Sequence, residues 1–209
     1  MEKIQIENFG PIDKAEVIIK DINLFIGTTS SGKSTVAKLI SIFRDGTMDN
    51  STTYIQFNKL LADYNIDFKI GETTLLRYEY YDFFCEIRKE KINSNYSSEN
   101  TSRLINPIYI PAERIFFPTI SESIFGLISS KVSLPKWFLD FGAEFEKARK
   151  AIKTFSIEFL NVSYEFDDRS DYVKLENNTK LRLSQASSGL QSVIPLILVV
   201  PVLDRKSVV

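Results

Sequence analysis

From Lys3 to Asn8 apolar and polar residues alternate, with Ile4 and Ile6 on one side. That period of two predicts a half-buried strand. "FGPI", Phe9–Ile12, turns the chain, and "KAEVIIK", Lys14–Lys20, returns as its hairpin partner. Ile22–Ile26 is a short apolar run and predicts a strand that feeds directly into glycine. The period then changes: Val36, Leu39, Ile40 and Phe43 recur at helical spacing across Ser34–Arg44. Thr73–Tyr96 is dense in residues that favour strands, and Ser94–Ser102 reads as a polar loop. "PIYIP", Pro107–Pro111, predicts another short buried strand, followed by helices over Thr119–Ser129 and Lys136–Phe155. Leu160–Leu183 predicts strands with turns near Asp167-Asp168 and Asn177-Asn178. The longest apolar run, Val193–Leu203, is too short to span a bilayer and predicts a buried helix over Gln191–Leu203. Pro195 is tolerable near the start of that helix, whereas Pro201 is expected to bend or end it.

The junction between the third predicted strand, Ile22–Ile26, and the first helix carries the clearest chemistry. It reads "GTTSSGKST": Gly27, Thr28, Thr29, Ser30, Ser31, Gly32, Lys33, Ser34 and Thr35. Gly-x-x-x-x-Gly-Lys-Ser between a strand and a helix is the phosphate-binding loop pattern. Glycines let successive backbone N–H groups turn inward as an anion nest, and the helix start adds its positive dipole end. Lys33 can then reach the β- and γ-phosphates of a nucleotide, and the Ser34 hydroxyl is the candidate magnesium ligand.

Composition narrows the rest. The 209 residues are 44% hydrophobic and 25% charged, an ordinary globular balance. Lysine plus arginine (26) nearly cancels aspartate plus glutamate (27), so net charge gives no support for a nucleic-acid partner beyond a local patch. The absence of histidine excludes His-based triads, His-containing zinc sites and imidazole acid–base chemistry. A single cysteine, Cys85, fits a reducing cytoplasm, and the N-terminus shows no secretory h-region. The aromatics Tyr78, Tyr80, Tyr81, Phe83 and Phe84 offer either a base-stacking platform or ordinary sheet burial.

A second motif lies near the end. "LSQASSGLQSVIPLILVV", Leu183–Val200, resembles the signature segment, usually written LSGGQ, of ABC-type ATPase heads. Ser188, Gly189 and Gln191 match it, while Ser187 and Leu190 replace its leucine and second glycine. "NPIYIPAER", Asn106–Arg114, and the opening "KIQIENFGPI" resemble the SMC/RecF-like branch of those ATPases, including stand-alone AAA-type ATPases of bacterial defence systems.

The resemblance implies an α/β nucleotide-binding head that holds ATP and Mg2+. Ser188, Gly189 and Gln191 would face the γ-phosphate bound by a second copy, giving a homodimer with nucleotide sandwiched between chains. Glu113 or Arg114 would face the metal or γ-phosphate, or else form a surface ion pair. No heptad array separates Lys33 from Gly189, so the expected head is compact. A Walker B strand ending in aspartate and glutamate does not follow Gly189: the sole candidate, "VVPVLD", ends at Asp204 and continues with Arg205. The expectation is therefore one incomplete head over residues 1–209, lacking the C-terminal half of its sheet. Its β-rich N-terminal part spans 1–105, a central strand and helical lobe 106–160, and strands with the signature helix 161–209. Such a chain binds ATP but turns it over poorly; the alternative is a non-catalytic, nucleotide-gated module that docks an effector such as a nuclease.

Overall fold

The computed structural model describes residues 1–45, 48, 50–96, 107–120, 129–132 and 134–206, with side chains of 202–206 excepted. It forms two compact units, Met1–Tyr109 and Ile110–Val209.

In the first unit, β1 (Glu2–Phe9) and β2 (Ile12–Ile19) form the expected hairpin, with Phe9 opposite Ile12. β3 (Leu75–Tyr80), β4 (Phe83–Arg88) and β5 (Lys91–Ser94) complete an antiparallel sheet in the order β2-β1-β3-β4-β5. Register places Ile6 beside Leu76 and Leu76 beside Ile87, while Ile4, Tyr78 and Cys85 form a parallel row. All six are buried, as the period of two requires. Helix α1 (Lys33–Arg44) lays Leu39, Ile42 and Phe43 into the core, and the Phe43 ring stacks on Tyr78 at 5.4 Å. Burying one such ring contributes about 1.5–3 kcal/mol.

The far end of α1 is tied down by charge. Arg44 Nε donates to Glu2 at 2.7 Å, its Nη2 contacts the other Glu2 oxygen, and the Tyr78 hydroxyl also bonds Glu2. A cation in the last turn complements the helix dipole as well. Burial and Glu2 push the Tyr78 hydroxyl well above its ordinary pKa, and burial pushes the Cys85 thiol up to about 12. Cys85 is thus a core side chain rather than a reactive thiol.

A helix absent from the sequence expectation, α2 (Tyr54–Asp63), packs Phe57 and Leu61 inward. Its signal was local: Thr53 and Gln56 form a reciprocal capping box. The aromatic-rich stretch does not form one platform. Tyr78 is core, Tyr81 is exposed on the β3–β4 turn, and Tyr80, Phe83 and Phe84 are half-buried.

Two expected strands are not strands. Ile22–Ile26 joins no ladder with a described residue, and Ile22, Leu24 and Ile26 are 82–88% exposed. Pro107–Pro111 likewise joins neither sheet, and both sheets are antiparallel throughout. Most of the expected loop Ser94–Ser102 and of the helix Thr119–Ser129 lies outside the described residues.

The second unit places a 3-10 turn (Ala112–Phe116) and the short α3 (Phe117–Ile120) before α4 (Lys136–Ala151). Trp137, Phe138, Phe141, Phe145 and Ala148 line the buried face of α4, and Phe117 stacks on Phe138 at 4.3 Å. The sequence extends α4 to Phe155; the helix stops at Ala151 because Thr154–Ile157 (β6) pairs with β7 (Val162–Phe166). Ladder hydrogen bonds with β7 outweigh the weak helix propensity of Thr154 and Phe155. β8 (Asp171–Leu175) and β9 (Lys180–Arg182) extend that sheet, with turns where the paired Asp and Asn residues predict them. The last helix, α5, runs Ser188–Lys206 through both prolines, so Pro201 does not end it, and Val199–Asp204 is helical rather than a strand.

A buried polar cluster joins α4 to this sheet. Arg149 Nη1 donates to Asp171 at 3.0 Å, the Tyr164 hydroxyl bonds the other Asp171 oxygen, and Glu146 also contacts Arg149. The guanidinium lies over the rings of Phe145 and Phe166.

Candidate phosphate-binding site

Gly27–Ser31 form an exposed turn, Gly32 is buried beneath it, and Lys33–Thr35 open α1. Ser30 (φ +63°) and Gly32 (φ +88°) both take the left-handed conformation, which curls the backbone before the helix. Gly32 occupies the N-cap position, and its carbonyl accepts the Val36 N–H at 2.9 Å. No side chain caps this helix start and its first turn has no acidic residue. The leading N–H groups of α1 are therefore available to an anion, with the helix dipole adding its positive end.

Gly32 also sits against the hairpin. A Cβ at this position would come within 2.5 Å of Ile12 Cγ1 and 3.4 Å of Pro11 Cγ. Ile12 is buried, so the "FGPI" turn forms a floor beneath the loop. Sequence reasoning assigned that turn only to the hairpin; its second role depends on a contact between residues distant in the chain.

Lys33 folds back over the loop. Its Nζ donates to the carbonyls of Gly27 at 2.9 Å and Thr28 at 2.5 Å, and to Ser31 Oγ at 3.2 Å. The ammonium is thus held at the mouth of the turn by neutral acceptors, which are weaker partners for it than charged oxygens. The Ser34 hydroxyl is exposed and Thr35 half-buried. An open cleft of about 460 Å3 adjoins the loop, lined by Asp13, Lys14, Leu24, Phe25 and Lys33 among others. This donor set suits a polyphosphate: backbone N–H groups, the Lys33 ammonium and hydroxyls that include Ser34. Among the described residues no group of three or more Cys, Asp and Glu is placed to hold a metal by itself.

The signature-like residues lie in the second unit. Ser188 and Gly189 are exposed in the first turn of α5. Ser187, one residue earlier, supplies the cap: its Oγ accepts the Leu190 N–H at 3.5 Å. Among the described residues a Cβ on Gly189 would meet nothing nearer than Ser187 Oγ at 4.0 Å, so none of them requires glycine there. Gln191 bonds within its own chain. Its Nε2 donates to the carbonyls of Ala186 at 2.8 Å and Ser184 at 3.1 Å, bracing the preceding 3-10 turn. Glu113 is exposed, and Arg114 donates to backbone carbonyls rather than to a carboxylate. Among the described residues neither forms an ion pair. The side chain of Asp204 lies outside the described residues.

The family model for the AAA ATPase domain matches residues 1–125, which include the hairpin, the loop and α1. This chain belongs to the AAA ATPase domain family. Membership points to ATP binding. No curated protein and no solved structure matches the chain. Among the described residues no helix is long and apolar enough to cross a membrane.

Proposed function

We propose that this AAA-family chain binds Mg-ATP at Gly27–Thr35 and self-associates around the nucleotide. The observation that carries the reading is the complete Gly-x-x-x-x-Gly-Lys-Ser loop on the uncapped start of α1. Backbone N–H groups of the loop would hold the β-phosphate, Lys33 the β- and γ-phosphates, and the Ser34 hydroxyl the magnesium ion. The adjoining cleft has room for the nucleoside. Bound magnesium neutralises charge on the phosphates. Replacing Lys33 by alanine should weaken Mg-ATP binding about tenfold or more in calorimetry, because a charge-assisted contact is lost. Equal affinity in the variant overturns the assignment.

Ser188 and Gly189 are the residues proposed to complete the site in trans, as the helix start of one copy meeting the γ-phosphate held by another. Gly189 supports this reading, since none of the described residues around it requires glycine. Gly189→Ala should stabilise isolated α5 by about 0.5–1 kcal/mol through helix propensity. It should also reduce ATP-dependent self-association in sedimentation, because the added methyl stands where the second copy approaches. A more stable variant that associates like wild type removes Gly189 from the interface. The second reading is a nucleotide-gated module without catalysis. Steady-state phosphate release no greater than that of the Lys33→Ala chain is its expected signature.

A further inference from the structure

We propose that Arg114 is a positioning residue: its guanidinium holds the opening turns of α5, and with them Ser188 and Gly189, through the Ser192 carbonyl.

The opening of α5 is intrinsically weak. Pro195 offers no N–H to the Gln191 carbonyl, and a proline ring crowds the carbonyl four residues before it. Gly189 adds backbone freedom in the first turn, which contains no acidic side chain to complement the dipole. The Ser187 cap is long at 3.5 Å, and Gln191 is spent on the preceding 3-10 turn. Order at this helix start must therefore come from outside the helix.

Arg114 supplies it at the turn that Pro195 weakens. Its Nε donates to Ser192 O at 2.9 Å and its Nη1 to Pro111 O at 3.2 Å. One planar group thus links the 3-10 turn Ala112–Phe116 to α5, and Arg114 is half-buried between them. The Arg114 N–H also bonds Pro111 O at 3.3 Å, which keeps the base of the side chain in register. A lysine could not reproduce this. An ammonium is a point donor on a flexible stem, without the fixed fork that serves two carbonyls at once. The arginine that ends "YIPAER" is thereby assigned a role away from the phosphates. The link to nucleotide rests on the in-trans reading of Ser188 and Gly189; the positional claim does not.

Amide hydrogen exchange on the full chain without nucleotide tests that claim. In Arg114→Ala the amides of Leu190–Ile194 should exchange about tenfold faster, the size expected for one lost hydrogen bond to a charged group. Amides in β7, β8 and the first unit should be unchanged. Arg114→Lys should not restore protection. Adding Pro195→Ala to Arg114→Ala should restore it, because residue 195 then donates to Gln191 within the helix. Wild-type exchange in Arg114→Ala overturns the proposal, as does uniform loosening of the second unit. In Mg-ATP the variant should keep nucleotide affinity within about twofold while self-association falls about tenfold. Loss of affinity with unchanged exchange would make Arg114 a phosphate ligand and overturn the proposal. A wild-type chain that fails to self-associate in Mg-ATP defeats the in-trans reading, and the exchange result still decides the role of Arg114.

Discussion

Gly32→Ala is expected to abolish detectable Mg-ATP binding and to loosen α1 from the hairpin. Two independent costs converge on this residue. Its φ of +88° is a left-handed conformation that costs an L-residue about 1–2 kcal/mol. The added Cβ would also lie 2.5 Å from Ile12 Cγ1, far inside van der Waals contact. Ile12 is buried and cannot swing into solvent, so relief requires moving the helix start or the hairpin. Overpacking of this kind costs about a further 1–3 kcal/mol. Either movement displaces the N–H groups proposed to hold the phosphates. Gly27→Ala is the matched control: its φ is not left-handed, and its nearest obstacle is the rotatable Ser31 hydroxyl at 3.2 Å. Calorimetry should find no binding by the Gly32 variant, and exchange in α1 should rise. In the Gly27 variant α1 should stay protected. A Gly32→Ala chain that binds Mg-ATP as wild type does would refute the floor formed by Pro11 and Ile12.

Arg149→Ala should destabilise the second unit by about 3–5 kcal/mol, the usual cost of leaving a buried charge without its partner. Arg149, Asp171 and Tyr164 are 8%, 5% and 1% exposed, so water does not take over the role of the guanidinium. Burial raises the Asp171 pKa, opposed by Tyr164 and Arg149; deleting Arg149 removes one of the two and raises it further. The variant's penalty should therefore shrink as pH falls and Asp171 takes up a proton in the folded state. Arg149→Met combined with Asp171→Asn should cost less than Arg149→Ala alone. The pair leaves no net charge buried, and Asn can still accept from the Tyr164 hydroxyl. Trp137 is the sole tryptophan and is buried in α4, so its fluorescence during urea unfolding reports on this unit. A double variant as unstable as Arg149→Ala would mean that the loss is packing on Phe145 and Phe166 rather than unpaired charge.

The β1–β2 hairpin, the phosphate loop and α1 were legible in the sequence because each is specified locally. Alternation at Ile4 and Ile6 selects a strand face, and "FGPI" closes it. Gly27, Gly32 and Lys33 announce a glycine-bounded loop, and the left-handed backbone at Gly32 needs its residue type. The turns at Asp167-Asp168 and Asn177-Asn178 were readable for the same reason. Tertiary structure decided everything that depends on a partner. Ile22–Ile26 and Pro107–Pro111 have the apolar character of strands, but a strand exists only where another backbone completes its ladder. α4 ends at Ala151 because β7 captures Thr154–Ile157, an event invisible in helical periodicity. Pro195 and Pro201 stay inside α5, and Arg114 reaches that helix from 78 residues away. The same rule separates Ser188 and Gly189, left open at a helix start, from Gln191, whose amide the neighbouring carbonyls of Ser184 and Ala186 claim. Sequence specifies which groups can bond; the fold decides which of them meet, because hydrogen bonds and packing act only at contact distance.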